Sequence, residues 1–172
     1  MGLSIMNKNK LNNQKTAGID QSMTKTGVVI FDNDSQAMIH HEIIETKLNK
    51  VDALDSFKRV AEIASRIEFL CDLYSVETVR IEGLSYGSVG QATRTLAGLH
   101  YVIVDRLIHA SIDVAVIAPT ALKKAATRSG RADKQQMLEA VPEDDREQLS
   151  KYGKTKGRYD LADAYHLACI NF

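Results

Sequence analysis

From residue 16 onward the apolar positions come first in short β-branched runs and then at helical spacing, and this change of period predicts the architecture. Strands are expected over residues 16–20 (TAGID), 26–32 (TGVVIFD) and 37–46 (AMIHHEIIET). Short polar turns, with KT and NDSQ among their residues, join them as an antiparallel meander. A long helix follows, capped by Asp52 and running to about Tyr74. Its Leu54, Phe57, Val60, Ala61, Ala64, Ile67, Cys71 and Tyr74 form the face expected to pack on the sheet. A fourth strand, ETVRIE, ends at Glu82, and a Gly/Ser-rich loop (GLSYGSVG) leads into a helix over about 89–110. IDVAVI makes the fifth strand, and Pro119 starts a helical stretch through LKKAAT. A helix near 132–141, a polar charged loop and a last helix from about Asp160 complete the chain.

The order βββαβαβα predicts an α/β sandwich with a mixed five-stranded sheet flanked by helices, the ribonuclease H-like plan. Helix 89–110 stands out within it. Val89, Ala92, Leu96, Leu99, Ile103 and Leu107 make one apolar face, and Ala97, Tyr101, Val104 and Ile108 make a second. A surface helix needs an apolar stripe of only about 100°. The second face is covered either by a partner subunit or by another helix of the same chain.

The 172 residues suit one domain, expected over 16–172 behind a polar, Asn/Lys-rich flexible tail at 1–15. The formal net charge is zero, so a polyanionic partner must be held by a local patch. Cys71 and Cys169 form no disulfide framework or metal spacing and read as reduced core thiols, which suits a reducing cytosol. Neither a leader peptide nor a membrane-spanning run is expected; a cytoplasmic protein is, in a bacterium or in a host cell if the source is viral.

Four carboxylates make the sharpest chemical suggestion. Asp20 ends the first strand, Glu82 the fourth, and Asp160 and Asp163 open the last helix three residues apart, on one face. Acids ending otherwise apolar elements repel one another unless cations neutralise them. A plain hairpin at Asp20, a Glu82–Arg80 pair and an N-cap at Asp160 would explain these residues singly, but leave Asp163 and the small Ala162 and Ala164 unaccounted for. Hard oxygen ligands without cysteine suit two Mg²⁺ ions, with Mn²⁺ as substitute. His166, one turn beyond Asp163, reads as a core or surface residue. Lys123, Lys124, Arg128, Arg131 and Lys134, and a second run of Lys151, Lys154, Lys156 and Arg158, flank the acids as a phosphate track would.

Assembled in this order, GIDQSMTKTG, RIEGLSYGS, PTALKKAATRSGRADKQQM and DLADAYHLA resemble the RuvC family of Holliday-junction resolvases over most of residues 16–171. The resemblance implies that Asp20, Glu82, Asp160 and Asp163 bind metal and that Lys123 and Lys134, eleven apart, contact the scissile phosphate region. It further implies a homodimer formed through the helix after the Glu82 strand, with branched DNA as substrate. The chain departs from the family in having Gly83 after Glu82 and Ser85 at the position of an aromatic wedge, with Tyr86 one place later as the candidate wedge. It also carries Arg128 where a second turn glycine is common, and a longer insertion at about 142–158.

The expectation is therefore a dimeric, Mg²⁺-dependent endonuclease that nicks four-way DNA junctions symmetrically, leaving 5′-phosphate and 3′-hydroxyl ends. An RNA-processing or RNA–DNA hybrid nuclease of the same superfamily and a non-catalytic junction-binding protein are the alternatives. A kinase-like fold shares the first hairpin but needs a second lobe that 172 residues do not provide.

Overall fold

The computed structural model of the protein describes residues 14–84 and 90–169. Strands β1 (Lys15–Asp20), β2 (Lys25–Asp32) and β3 (Ala37–Glu45) form the antiparallel meander. Helix α1 (Asp55–Tyr74) leads to β4 (Thr78–Glu82), and α2 (Gln91–His109) to β5 (Asp113–Ile117). Helices α3 (Pro119–Thr127), α4 (Lys134–Glu139), α5 (Glu143–Ser150) and α6 (Arg158–Cys169) follow, with a 3₁₀ turn at Lys154–Lys156. The sheet order is β3-β2-β1-β4-β5, with β4 and β5 parallel to β1, so the mixed five-stranded sheet is present.

Strand alternation divides the core in two. Ala17, Ile19, Val28, Ile30, Val79 and Ile81 face α1 and α2, where they meet Ile63, Ile67, Leu70, Leu99, Ile103 and Leu107. Val29 and Phe31 face the other way and pack with Leu161, Ala162, Ala164, Tyr165 and Ala168 of α6. The residues between, Gly18, Asp20, Gly27, Arg80 and Glu82, share the α6 side. Arg80 reaches the carbonyls of Leu167 and Ala168, both at 3.3 Å, and so meets the orphan acceptors at the end of α6.

Several local expectations are corrected. Asp52 does not cap α1: it accepts from the Leu54 amide at 2.9 Å and pairs with Lys58, and the helix begins at Asp55. The buried face of α1 is also rotated near its start, leaving Leu54 and Phe57 exposed. The first turn is anchored there by a buried polar group instead. Arg59 pairs with Asp55 at 3.3 Å, donates to Thr46 Oγ1 at 2.9 Å and reaches the Met23 carbonyl. Lys15 belongs to β1, opposite Asp32, and not to the tail, whose residues 1–13 lie outside those described. Lys25 belongs to β2 and not to the first turn. The charged loop contains α5, which is polar except for the buried Leu149. The middle of the Gly/Ser-rich loop, with Ser85, Tyr86 and Val89, lies in the undescribed 85–89.

Helix α2 answers the question of its two faces. Leu99, Ile103 and Leu107 are buried, with Leu96 packed beside them, whereas Tyr101 and Ile108 remain 70% and 61% exposed. Of the second face, Val104 packs against this core and Ala97 is half-buried, so among the described residues it is the part at Tyr101 and Ile108 that stays open. Cys71 is a buried free thiol and Cys169 a half-buried one. No described helix is long and apolar enough to cross a membrane.

Candidate functional site

Because β1 and β4 are parallel neighbours, their carboxyl ends share one sheet edge, which sets Asp20 beside Glu82. Helix α6 begins over that same edge. Two strand glycines allow it to lie directly on the sheet: a Cβ at Gly18 would stand 1.9 Å from the Ala164 carbonyl oxygen, and one at Gly27 2.5 Å from that of Asp160. Gly27 is the β2 partner of Asp20, so the contact that seats Asp160 lies across the ladder from the first acid. Helix α6 starts after Gly157, whose φ of 103° favours glycine, and Asp160 lies in its first turn rather than at an N-cap.

All four acids are half-buried and close enough to act on one another. Burial raises Asp20 well above the usual carboxylate range, and the charges of Asp163, Glu82 and Asp160 raise it further, against Lys134. Asp163 is pushed up to about 7, first by burial and then by Glu82, with Lys134 and Lys123 opposing. Glu82 is also raised by burial, moderated by Lys123 and then Lys134. Packing thus forces together charges that the site does not itself neutralise, and a divalent cation would relieve the conflict. Among the described residues no three acidic, histidine or cysteine side chains are already arranged to hold an ion. The donor set still fits the hard cations expected from sequence: oxygen alone, and too much negative charge for its depth.

Lys134 reaches the cluster, its Nζ lying 3.9 Å from Asp160 Oδ1. It is the first residue of α4, placed by a capping box between Asp133 and Gln136. Lys123, on α3, also bears on Glu82 and Asp163. Lys124, Arg128 and Arg131 are exposed near these two lysines in sequence. Arg128 has a φ of 66°, the left-handed conformation that explains why glycine would suit this position. His166 is a core residue, bonded through Nε2 to the Met137 carbonyl at 2.8 Å. The seating glycines, Gln21 and His100 were not singled out from sequence. A glycine within a strand pattern is a readable signal of close backbone approach; a polar residue after a strand is not.

The fold defines the ribonuclease H-like class. Within it, a family profile described as Crossover junction endodeoxyribonuclease RuvC matches residues 16–170. The chain belongs to this family of metal-dependent nucleases and is a crossover junction endodeoxyribonuclease, an enzyme class of DNA recombination and repair. The crossover junction endodeoxyribonuclease RuvC of Treponema denticola is 25% identical over 126 residues, which are 72% of this chain and 68% of that protein. The fold resembles that of Thermus thermophilus RuvC, with a TM-score of 0.70, 20% identity and coverage of 91% of this chain and 92% of that one. The T. thermophilus protein in complex with a Holliday junction substrate superposes with a TM-score of 0.69, 19% identity and 91% of each chain. The yeast mitochondrial Holliday junction resolvase Ydc2 gives 0.66 at 13% identity, over 91% of this chain and 77% of that one.

Proposed function

We propose that Asp20, Glu82, Asp160 and Asp163 form the catalytic metal centre with which this chain nicks four-way DNA junctions. The observation that carries the reading is the crowding of these acids at one sheet edge, where burial raises Asp20, Glu82 and Asp163 and neighbouring carboxylates raise Asp20 and Asp163 further. Asp20 feels the other three, and Glu82, Asp160 and Asp163 would hold the metal with it. Two bound Mg²⁺ ions, or Mn²⁺ in their place, would supply an acidified water as nucleophile and charge stabilisation at the departing 3′-oxygen.

The rest falls to the chain's own groups. Lys134, 3.9 Å from Asp160, and Lys123, which bears on Glu82 and Asp163, would hold the scissile phosphate, offsetting the charge that grows on it. Lys124, Arg128 and Arg131 would extend the phosphate track, with Tyr86 as the wedge at the junction centre. Cleavage would leave 5′-phosphate and 3′-hydroxyl ends. The exposed Tyr101 and Ile108 on the second face of α2 support a homodimer, whose two-fold axis would match that of the junction and pair the nicks. The nuclease domain would run from Lys15, where β1 begins, to residue 172, behind a tail of residues 1–14.

The test is cleavage of a labelled four-way junction with and without Mg²⁺, beside linear duplex and an RNA–DNA hybrid. Symmetric, Mg²⁺-dependent nicks on the junction, abolished in Asp20→Asn with junction binding retained, are expected. Cleavage by Asp20→Asn would remove the site assignment, and cleavage confined to the hybrid would replace the substrate.

A further inference from the structure

The strand that delivers Asp20 carries a second polar residue immediately after it, and that side chain is buried. Gln21 is 8% exposed, as is His100 on α2. The two meet behind the acids. Strand alternation sends Asp20 toward α6, whereas Gln21 follows Ile19 toward α2.

The parallel ladder between β1 and β4 runs from Thr16↔Thr78 to Ile19↔Ile81 and stops one residue short of the level of Asp20 and Glu82. The Gln21 side chain supplies a further link between the two strands there. Its Nε2 donates to the Glu82 carbonyl oxygen at 2.9 Å and lies 2.8 Å from His100 Nδ1. Exchanging the two ends of the amide would set its oxygen against the Glu82 carbonyl, so the nitrogen must face both acceptors. His100 therefore accepts through Nδ1 and keeps its ring proton on Nε2, as a neutral imidazole. Among the described residues the buried Gln21 Oε1 atom has no hydrogen-bond partner.

We infer that Gln21 and His100 are positioning residues: a strut that ties the Glu82 backbone to the end of β1 and to α2, and so sets the spacing of Asp20 and Glu82. The inference rests on the reading of those two acids as metal ligands. Neither strut residue touches substrate or metal; both act through the main chain that carries Glu82. The strut also joins the acid pair to the helix whose outer face is exposed.

The test uses the full chain with Gln21→Met, which keeps length and removes the donor, and His100→Phe, which removes the acceptor. A third variant, His100→Gln, offers a carbonyl acceptor in its place. Mn²⁺ binding is measured by titration calorimetry, junction affinity by anisotropy without divalent ions, and cleavage under single turnover at saturating protein. Gln21→Met and His100→Phe are expected to weaken Mn²⁺ binding and to slow cleavage on the order of tenfold to a hundredfold, the scale set by small displacements of reacting groups. Junction affinity should stay at the parental value, and His100→Gln should recover most of the rate. Parental Mn²⁺ binding and cleavage in either folded variant would overturn the strut, as would equal losses of junction binding and cleavage. Should Gln21→Met not fold, His100→Phe and its glutamine counterpart decide the matter alone. An active Asp20→Asn would sink the site itself, whereas an inactive Asp20→Asn beside a fully active Gln21→Met would sink only the strut.

Discussion

Gly27 lies beneath Asp160: a Cβ at the strand position would come within 2.5 Å of the helix carbonyl oxygen and 2.7 Å of its carbon. Both contacts are to backbone, which cannot rotate away. The distance from the start of α6 to the sheet edge, and with it the placing of Asp160 and Asp163 over Asp20, depends on a missing methyl group.

Gly27→Ala should therefore lift the start of α6. A loss of about 1–3 kcal/mol is expected, as for other overpacked cores, together with a fall in junction cleavage larger than the stability loss explains. Chemical denaturation and single-turnover rates, measured below the unfolding range, separate the two. A variant as stable and active as the parent would show that α6 can shift without cost to the site.

The acids predict an unusual dependence of stability on pH when divalent cations are chelated. Asp163 is held at about 7 in the folded chain, and Asp20 moves in the same direction. A carboxyl raised on folding keeps its proton in the native state after the unfolded chain has lost it. Its contribution is thus full in acid and is lost as pH rises, here between about pH 4 and pH 7. Glu42, lowered by its hydrogen bonds to Arg66, works in the opposite sense, so the informative quantity is the difference between parent and Asp163→Asn. Thermal midpoints should fall more steeply with pH in the parent than in the variant. Mg²⁺ should stabilise the parent more at higher pH, where it no longer competes with protons. Parallel curves would contradict the placement of Asp163.

Lys134→Ala removes the cation nearest Asp160, on a residue whose side chain is mostly exposed. The fold should be preserved, because the capping box that starts α4 uses Asp133 and Gln136 instead. Cleavage should slow on the order of tenfold to a hundredfold, with a smaller change in junction affinity. Unchanged turnover at saturating Mg²⁺ would remove Lys134 from the site.

Ile108→Glu places a charge on the exposed face of α2 while leaving the buried Leu99, Ile103 and Leu107 intact. Sedimentation should show dimers becoming monomers, with an unaltered thermal midpoint for the isolated fold. A dimer that persists would move the interface elsewhere.

Where sequence reading failed, it failed for recognisable reasons. Asp52 has the chemistry of a cap but serves the turn before α1, because Asp55 and Arg59 form a buried anchor with Thr46 that starts the helix three residues later. Phe57 matches the helical period of the core face yet is 71% exposed, since that anchor occupies the inner side of the first turns. Helix α5 was hidden because EDDREQLS offers one buried apolar residue, Leu149, and therefore no period to detect.

The sequence by itself determined the strand meander and the mixed sheet and brought out the four acids, because Asp20 and Glu82 end apolar strands and Asp160 and Asp163 open an apolar helix, whose periods are set by local backbone geometry. The motif that carries them also placed the chain in its family. Only the tertiary structure decided how close the acids stand, through Gly18 and Gly27 under α6, and what links their backbones behind the sheet, through Gln21 and His100. It likewise decided which face of α2 stays open. The Gln21 links alone join residues 61 and 79 positions apart in the chain, and no periodicity along one segment encodes a contact between two.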